Sequence, residues 1–496
     1  MNDNELYQAE IFSNRLEKKY RTLRKWARKN GITCYRLYDR DIPEIPLSCD
    51  LYEFLPEGIF EREAASVFMQ KEYETQVLND RDAMKKIAEK RYLNMFLYER
   101  PYEKSYHEEK SWLTAMAKAA SKILQIDPAH VIIKMRRRSK GGSQYANYAD
   151  SVSGGENAQD MAASICAPDA DGEINLINAK EAPDIFTVSD KRAPAAGIVQ
   201  EHGLLFTADL LKHLDSGLFL DHRPLRSTIR ETSKEKSILN LFCYTGSFSV
   251  YAAAGGAKKV ESVDLSKTYL SLAKQNMKLN GFEADDKYVF TRSDVIKFLE
   301  RKSASMHSAG TQGYDIIILD PPTFSNSKSS QSVLDINRDW PYLVDMCVSL
   351  LNRGGVLYFS TNSKRLVFDI SKILSGSDDL NFKERNNTGR SSIGSRRPNS
   401  LRAGSPIAGE LLTHSPSARS PIAGEPLSRR SRHDLRSHAR NPIADGPHNR
   451  DSRDSLLFRG LLARGSRAIE VEDISLKTVP EDFRNVKIHR CWKITV

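Results

Sequence analysis

The sequence predicts an α/β protein built on a doubly wound, mostly parallel sheet, with a second α+β region ahead of it. Three observations carry this expectation. Between residues 237 and 374, five apolar strand-like runs each lead into a helical segment, an alternation that closes as a parallel sheet with helices on its faces. The composition, 40% hydrophobic and 28% charged over 496 residues, is that of a chain with a sizeable core and room for two or three domains. Two stretches, 150–190 and 385–467, break the pattern with small, polar and charged residues.

In chain order, residues 1–30 form a strongly basic segment with Ile11, Leu16, Tyr20, Leu23 and Trp26 at helical spacing and Gly31 as a stop. Residues 32–60 are turn-rich and suggest short strands, and 108–125 suggest another helix. VIIKMRRRSKGG (131–142) reads as a strand running into a basic turn. Residues 150–190 are expected to be a long mobile surface insertion. The regular units follow: KSILNLFC; KKVESVD with a helix to Leu279; KYVFTRSD with a helix to about Arg301; YDIIILD with a helix near 339–352; and GGVLYFST with a helix near 367–374. Residues 385–467 hold 16 Arg, no Lys, 7 Pro and the near-repeats SPIAGE, SPIAGE and NPIADG, so disorder is expected there. AIEVEDISL (468–476) and VKIHRCWKITV (486–496) then read as a hairpin at the sheet's edge.

The net charge of +10 lies wholly within 385–467, and the rest of the chain is balanced. A basic chain is therefore no evidence that the folded core binds nucleic acid. No apolar run reaches the roughly 18 residues of a membrane span. The opening MNDNELYQAEIF has acids where a secretory leader has bases. The six cysteines are scattered, without a C-x-x-C pair. Neither a metal site nor a disulfide framework is expected, and a reducing cytoplasm is the expected compartment.

Three motifs carry chemistry. Asn240-Leu241-Phe242-Cys243-Tyr244-Thr245-Gly246 follows a buried strand and opens a helix. Gly246 lets the backbone approach a ligand, and one glycine rather than three disfavours a pyrophosphate. Asp264 ends the next strand, where a carboxylate can accept both hydroxyls of a ribose and can cap the following helix, two compatible readings. Asp294 ends the third and either accepts from an adenine amino group or caps. Asp320-Pro321-Pro322-Thr323-Phe324 is the sharpest signal: two prolines stiffen a strand exit, the acid supplies acceptors for base amino groups, and Phe324 can stack on a planar base.

This set resembles the class I methyltransferases that use S-adenosylmethionine. Longer stretches narrow it: NRLEKKYRTLRKWARKNGITCYRLYDRDIPE, DSGLFLDHRPLR (215–226), DPPTFSNSK (320–328) and PEDFRNVKIHRCWKIT. They resemble the guanine-N7 methyltransferase half of the bifunctional bacterial large-subunit ribosomal RNA methyltransferases, over roughly residues 10–145, 195–384 and 468–496. The THUMP domain and the N2-guanine methyltransferase of the other half have no counterpart. The resemblance implies a Rossmann-like seven-stranded sheet of order 3-2-1-4-5-7-6 with strand 7 antiparallel. It divides the chain into an RNA-recognition region (1–213), a methyltransferase domain (214–384 with 468–496) and an inserted 385–467. It implies S-adenosylmethionine as cofactor, with Phe242, Tyr244 and Gly246 along its methionine and ribose, Asp264 and Leu265 at the ribose and Asp294 at the adenine. Asp320, Pro321, Pro322 and Phe324 become the catalytic loop. Asp221-His222-Arg223 either lines the cofactor or target pocket or forms a surface salt bridge. The implied partner is 23S ribosomal RNA or its large-subunit precursor, with Arg338 near a phosphate.

Guanine N7 carries a free lone pair, so the implied reaction is an in-line displacement without a general base, driven by positioning. Amino-group methylation (N2 of guanine or N6 of adenine) stays open. Cytosine-C5 methylation needs a thiolate, expected after the fifth strand, where the chain reads Phe359-Ser360-Thr361-Asn362. Cys243 and Cys347 read as packed thiols. A non-catalytic RNA-binding assembly factor is the reading from another class. Arg136, Arg137, Arg138 and Lys140, with Tyr145 nearby, are either an RNA contact or a solvated charge run. The insert at 385–467 is either an RNA-binding tail or a neutral expansion.

Overall fold

A computed structural model describes residues 3–55, 90–98, 102, 104–136, 185–187, 195–211, 215–283, 286–309, 313–325, 333–374, 462–464 and 467–496. Helix α1 (Asp3–Lys29) opens the chain. Strands β1 (Cys34–Asp39), β2 (Leu47–Glu53), β3 (Arg91–Tyr98), β4 (Val131–Arg136) and β5 (Ile185–Thr187) form a five-stranded sheet in that order. β3 and β4 run parallel and are joined by helix α2 (Tyr106–Leu124), the crossover that a parallel pair requires. A capping box between Ser105 and Glu108 starts α2. Phe12, Leu16, Leu23 and Ala27 recur along one face of α1 and share a core with Trp112 and Met116 of α2 and Leu37, Leu51 and Leu93 of the sheet. β3 was not foreseen; buried on both faces, it lacks the alternation that marks a half-exposed strand. β5 corrects the expected insertion at 150–190, because it pairs with β4. The rest of that insertion lies outside the described residues.

A hairpin follows, β6 (Ala196–Glu201) and β7 (Leu204–Asp209), joined by His202-Gly203, both at positive φ. Helix α3 (Arg223–Thr232) leads into the large sheet: β8 (Ser237–Leu241), α4 (Ser247–Ala254), β9 (Lys259–Asp264), α5 (Lys267–Leu279), β10 (Tyr288–Arg292), α6 (Val295–Ala309) and β11 (Tyr314–Leu319). The short pair β12 (Phe324–Ser325) and β13 (Leu334–Asp335), helix α7 (Ile336–Ser349), and β14 (Leu351–Thr361) come next. Strands β15 (Leu462–Arg464), β16 (Arg467–Asp473) and β17 (Arg490–Thr495) complete it.

The sheet order is β10-β9-β8-β11-β14-β17-β16-β15, with β17 antiparallel to β14. That is the 3-2-1-4-5-7-6 order with one short strand added at the edge. The added strand, β15, corrects the expectation of disorder through 467; residues 385–461 lie outside the described residues. The helix expected near 367–374 is a single turn, Ser371–Leu374. Chain order reverses around β8, which pairs with β9 on one side and β11 on the other. The carboxyl ends of these strands open the crevice where ligands bind in such sheets. Asn276 and Asn280 of α5 clamp the β6–β7 hairpin onto this body. Asn276 Oδ1 accepts from Thr207 N–H at 2.9 Å, and Asn280 Oδ1 accepts from Leu205 N–H at 2.9 Å.

A buried ion network joins these parts. Arg223 and Arg226 both donate to the Glu201 carboxylate. Arg223 also reaches Asp482 at 2.7 Å and the Cys34 carbonyl at 2.8 Å. Asp482 accepts the backbone N–H of Arg36, whose guanidinium pairs with Asp50. Burial alone would raise the Glu201 carboxyl, but the two guanidiniums outweigh it and hold it below its usual range. Removing one member of such a network strands the others without compensation. Arg223→Met should therefore cost about 3–5 kcal/mol, read as a fall in the urea midpoint. A loss under about 1 kcal/mol would show that the network does not hold the parts together.

Candidate active site

The loop after β8 is built under strain. Phe242 and Tyr244 sit at φ 54° and 51°, and Gly246 at φ 74°. Left-handed backbone costs a residue bearing Cβ on the order of 1–3 kcal/mol, and such strain collects at ligand sites. Several bonds enforce it: Asn276 donates to the Thr245 carbonyl at 2.9 Å, and Thr245 Oγ1 donates to the Gly217 carbonyl at 2.6 Å. Asp264 accepts the Tyr244 N–H at 3.0 Å. A Cβ on Gly246 would lie 2.8 Å from the Ala273 Cβ, so only glycine lets this turn seat against α5.

Asp264 is not the helix cap that its position also allowed. Ser266 caps α5, accepting from Tyr269 N–H, while Asp264 accepts from Tyr244 and Ser266 N–H and retains acceptor capacity toward the cavity. Burial raises its carboxyl, and those N–H groups oppose the rise. Asp294 caps its helix and also faces the cavity. It accepts from Lys297 N–H at the start of α6 and lines the cavity.

A cavity of about 270 Å³ lies at the crevice. Its walls bring together Phe242, Tyr244, Asp264, Leu265, Asp294, Asp320, Pro321, Pro322 and Phe324, all singled out in the sequence. Gly246 sits just behind the wall, as backbone support. Phe219, Tyr244 and Tyr269 make an aromatic cluster with centroids 4.6–5.0 Å apart. The Asp-Pro-Pro loop is fixed at both ends. Ser360 of β14 donates to Asp320 Oδ1 at 2.5 Å, and Ile336 N–H donates to the Thr323 carbonyl at 3.1 Å.

The triplet at 221–223 splits three ways. His222 is buried and lines the cavity, its Nε2 3.5 Å from Asp320 Oδ2. Asp221 Oδ2 faces His489 Nδ1 at 3.8 Å. Arg223 corrects the expectation of a pocket residue: it is spent on Glu201, Asp482 and Cys34, outside the cavity wall. His489 stacks on His222 at 4.6 Å and 14°. Their ring planes are nearly parallel, so their in-plane lone pairs cannot converge on one ion at about 2.1 Å; with Asp221 they form an electrostatic cluster. Burial pushes His222 down, against the pull of Asp320 and Asp221, so the ring is neutral near pH 7. His489 was missed because nothing in the sequence links it to a residue 267 positions earlier.

Cys243, read as a packed thiol, is buried just beyond β8 and lines the cavity. Burial pushes its thiol well above the usual range, which disfavours a nucleophilic thiolate. Asn362 stands in the wall just beyond β14. Arg338 turns its guanidinium onto Asp339 at 2.6 Å and the Val333 carbonyl at 2.7 Å. Arg136 ends β4; its side chain, with Arg137, Arg138 and Lys140, lies outside the described residues.

A family model for S-adenosylmethionine-dependent methyltransferases matches residues 180–388. The fold is like that of an S-adenosylmethionine-dependent methyltransferase from Streptococcus mutans, 15% identical at TM-score 0.50 over 98% of this chain and 81% of that one. A methyltransferase crystallised with SAH gives TM-score 0.51 at 15% identity, over 98% and 82% of the two chains. Fold and family match together define an S-adenosylmethionine-dependent methyltransferase. Ribosomal RNA large subunit methyltransferase K of Neisseria meningitidis is 35% identical over 358 residues, 72% of this chain and 77% of that protein. The K/L proteins of Magnetococcus marinus and Pseudomonas putida are 32% and 33% identical over 76% and 73% of this chain, which spans only 40% and 37% of their lengths. The chain belongs to the ribosomal RNA large subunit methyltransferase K family.

Two outcomes follow from this geometry. Gly246→Ala should weaken binding of S-adenosylhomocysteine at least about tenfold by calorimetry, since its Cβ meets Ala273 and its φ is disfavoured; unchanged affinity would remove the turn from the cofactor site. Protonating His222 places a charged, unpartnered Nδ1 in a buried wall. Between the ordinary value of 6.5 and its own lower one, the unfolded chain binds this proton and the folded chain does not, so stability falls as pH falls through that window. Methyl transfer should lose rate on the same acid limb, and His222→Gln should flatten it.

Proposed function

We propose that the chain methylates large-subunit (23S) ribosomal RNA at guanine N7, by in-line transfer without a general base. The observation that carries this reading is the position of Asp320, Pro321, Pro322 and Phe324 in one wall of the cavity that Phe242, Tyr244, Asp264 and Asp294 also line. The residues fit the cofactor. Asp264 keeps acceptor capacity for ribose hydroxyls beside its backbone bonds, Asp294 offers an acceptor to an adenine amino group, and Leu265 and the aromatic cluster supply apolar faces. S-adenosylmethionine, when bound, supplies an electrophilic sulfonium methyl group.

What the chain contributes is placement. Phe324 offers a face for a flipped or single-stranded base, and such stacking is worth about 1–3 kcal/mol per base. Asp320, held by Ser360 on one oxygen and facing His222 on the other, accepts hydrogen bonds from the base edge. Its charge also favours the cation that N7 methylation creates. A neutral N7 has no proton to lose, so orientation alone can supply several kcal/mol of the rate gain. The N2 or N6 reading has one observation in its favour: the imidazole of His222 stands 3.5 Å from Asp320 and can take up a proton.

The test uses the purified chain, labelled S-adenosylmethionine and large-subunit RNA from cells lacking the gene. Digestion and mass spectrometry should return 7-methylguanosine, and Asp320→Asn should lower kcat/KM about 100-fold. A product methylated on an amino nitrogen would support the second reading and overturn the first. Cofactor binding with no transfer to RNA would overturn both.

A further inference from the structure

We infer that the exposed face of α1 docks the sugar-phosphate backbone of the substrate RNA, an inference that rests on the reading of an RNA methyltransferase given above. The second half of the helix, residues 15–29, carries eight Lys and Arg against one acid, Glu17. The structure sorts these charges. Arg15 and Lys19 turn toward Asp41, at 2.5 and 3.9 Å. Lys18, Arg21, Lys25 and Lys29 are exposed. Their spacing of three, four and four residues puts them in a single row along one side of the helix, about 16 Å long. Lys18, Lys25 and Lys29 form no ion pair among the described residues, and Arg21 has only the exposed Glu17.

Three features distinguish this row from a solvated charge run. First, it rides on a rigid rod: the opposite face of α1 is buried through Phe12, Leu16, Leu23 and Ala27. Second, the rod is bolted to the catalytic body. The Trp26 ring lies under the Arg223 guanidinium at 5.4 Å, and Thr33 N–H donates to the Gln200 carbonyl at 2.9 Å. The residue before Arg223 is His222, in the cavity wall. Third, the row's cations are not spent within the fold: among the described residues their one ion pair is the solvent-facing contact of Arg21 with Glu17. A fixed row of four cations held in one frame with the cavity suits a polyanion that must be gripped at a set distance from its reacting base. Phosphate contacts of this kind position a substrate without reading its sequence.

The experiment compares the full chain with a variant carrying Lys18→Gln, Arg21→Gln, Lys25→Gln and Lys29→Gln, by binding to a large-subunit RNA transcript over a series of salt concentrations. Four lost phosphate contacts should reduce the slope of log Kd against log salt by about 3. KM for RNA should rise at least about tenfold with kcat at saturating RNA retained. The melting temperature and the affinity for S-adenosylhomocysteine should stay at the wild-type values, which shows that the variant folds. Lys18→Arg, Lys25→Arg and Lys29→Arg together should keep the wild-type slope. A Gln variant with an unchanged slope would overturn the docking surface while leaving the methyltransferase reading intact, and would point to an acidic protein partner for this row instead. A wild-type chain that neither binds nor methylates the transcript would overturn the reading on which the inference rests.

Discussion

Glu201 lies buried between the guanidiniums of Arg223 and Arg226, and Arg223 reaches on to Asp482 beside the C-terminal strands. Four parts of the chain meet here: the N-terminal sheet through the Cys34 carbonyl and Arg36, the β6–β7 hairpin through Glu201, helix α3 through its two arginines, and the segment before β17 through Asp482. Buried charges are costly to desolvate, so such a network is a weak source of stability against an apolar alternative. Its members satisfy one another across all four parts, so separating any one part strands a buried charge.

That constraint reaches the cavity directly. Helix α3 begins at Arg223, so fixing this side chain fixes His222 one residue earlier, and His222 faces Asp320. His489, stacked on His222, comes from the same C-terminal segment that supplies Asp482. The turn after β8 is held by its bonds to Asn276 and Asp264. The same turn is tied to the ion network, since Tyr251 of α4 donates to Glu201 at 2.9 Å and Asn276 also holds the β6–β7 hairpin. The cavity is thus preformed by one connected set of braces. This is what a reaction limited by orientation requires, since small errors in placement are costly in rate.

Much of this was legible in the sequence. The strands β8, β9, β11 and β14 are apolar runs that end at an acid or a loop, and an acid at the carboxyl end of a parallel strand has few places to point other than the crevice. Asp264 and Asp320 were therefore recognisable from position alone, and Asp294 from its place just after the half-buried β10. Arg223 was not. A guanidinium in Asp-His-Arg can face a ligand or the core, and its true partners are 22 and 259 residues away. Strand β3, RYLNMFLY, hid because both its faces are covered. The β6–β7 hairpin is legible in Glu-His-Gly-Leu, a two-residue turn with glycine second.

The central claim is that the cofactor and the target base share the cavity, with Asp320 and Phe324 on the base's side. A crystal structure of the chain with S-adenosylhomocysteine tests it most directly. The account predicts ribose hydroxyls on Asp264, the adenine amino group near Asp294 and the sulfur turned toward Asp320 and Phe324. A ligand seated elsewhere, or with its sulfur facing away from that loop, would contradict it.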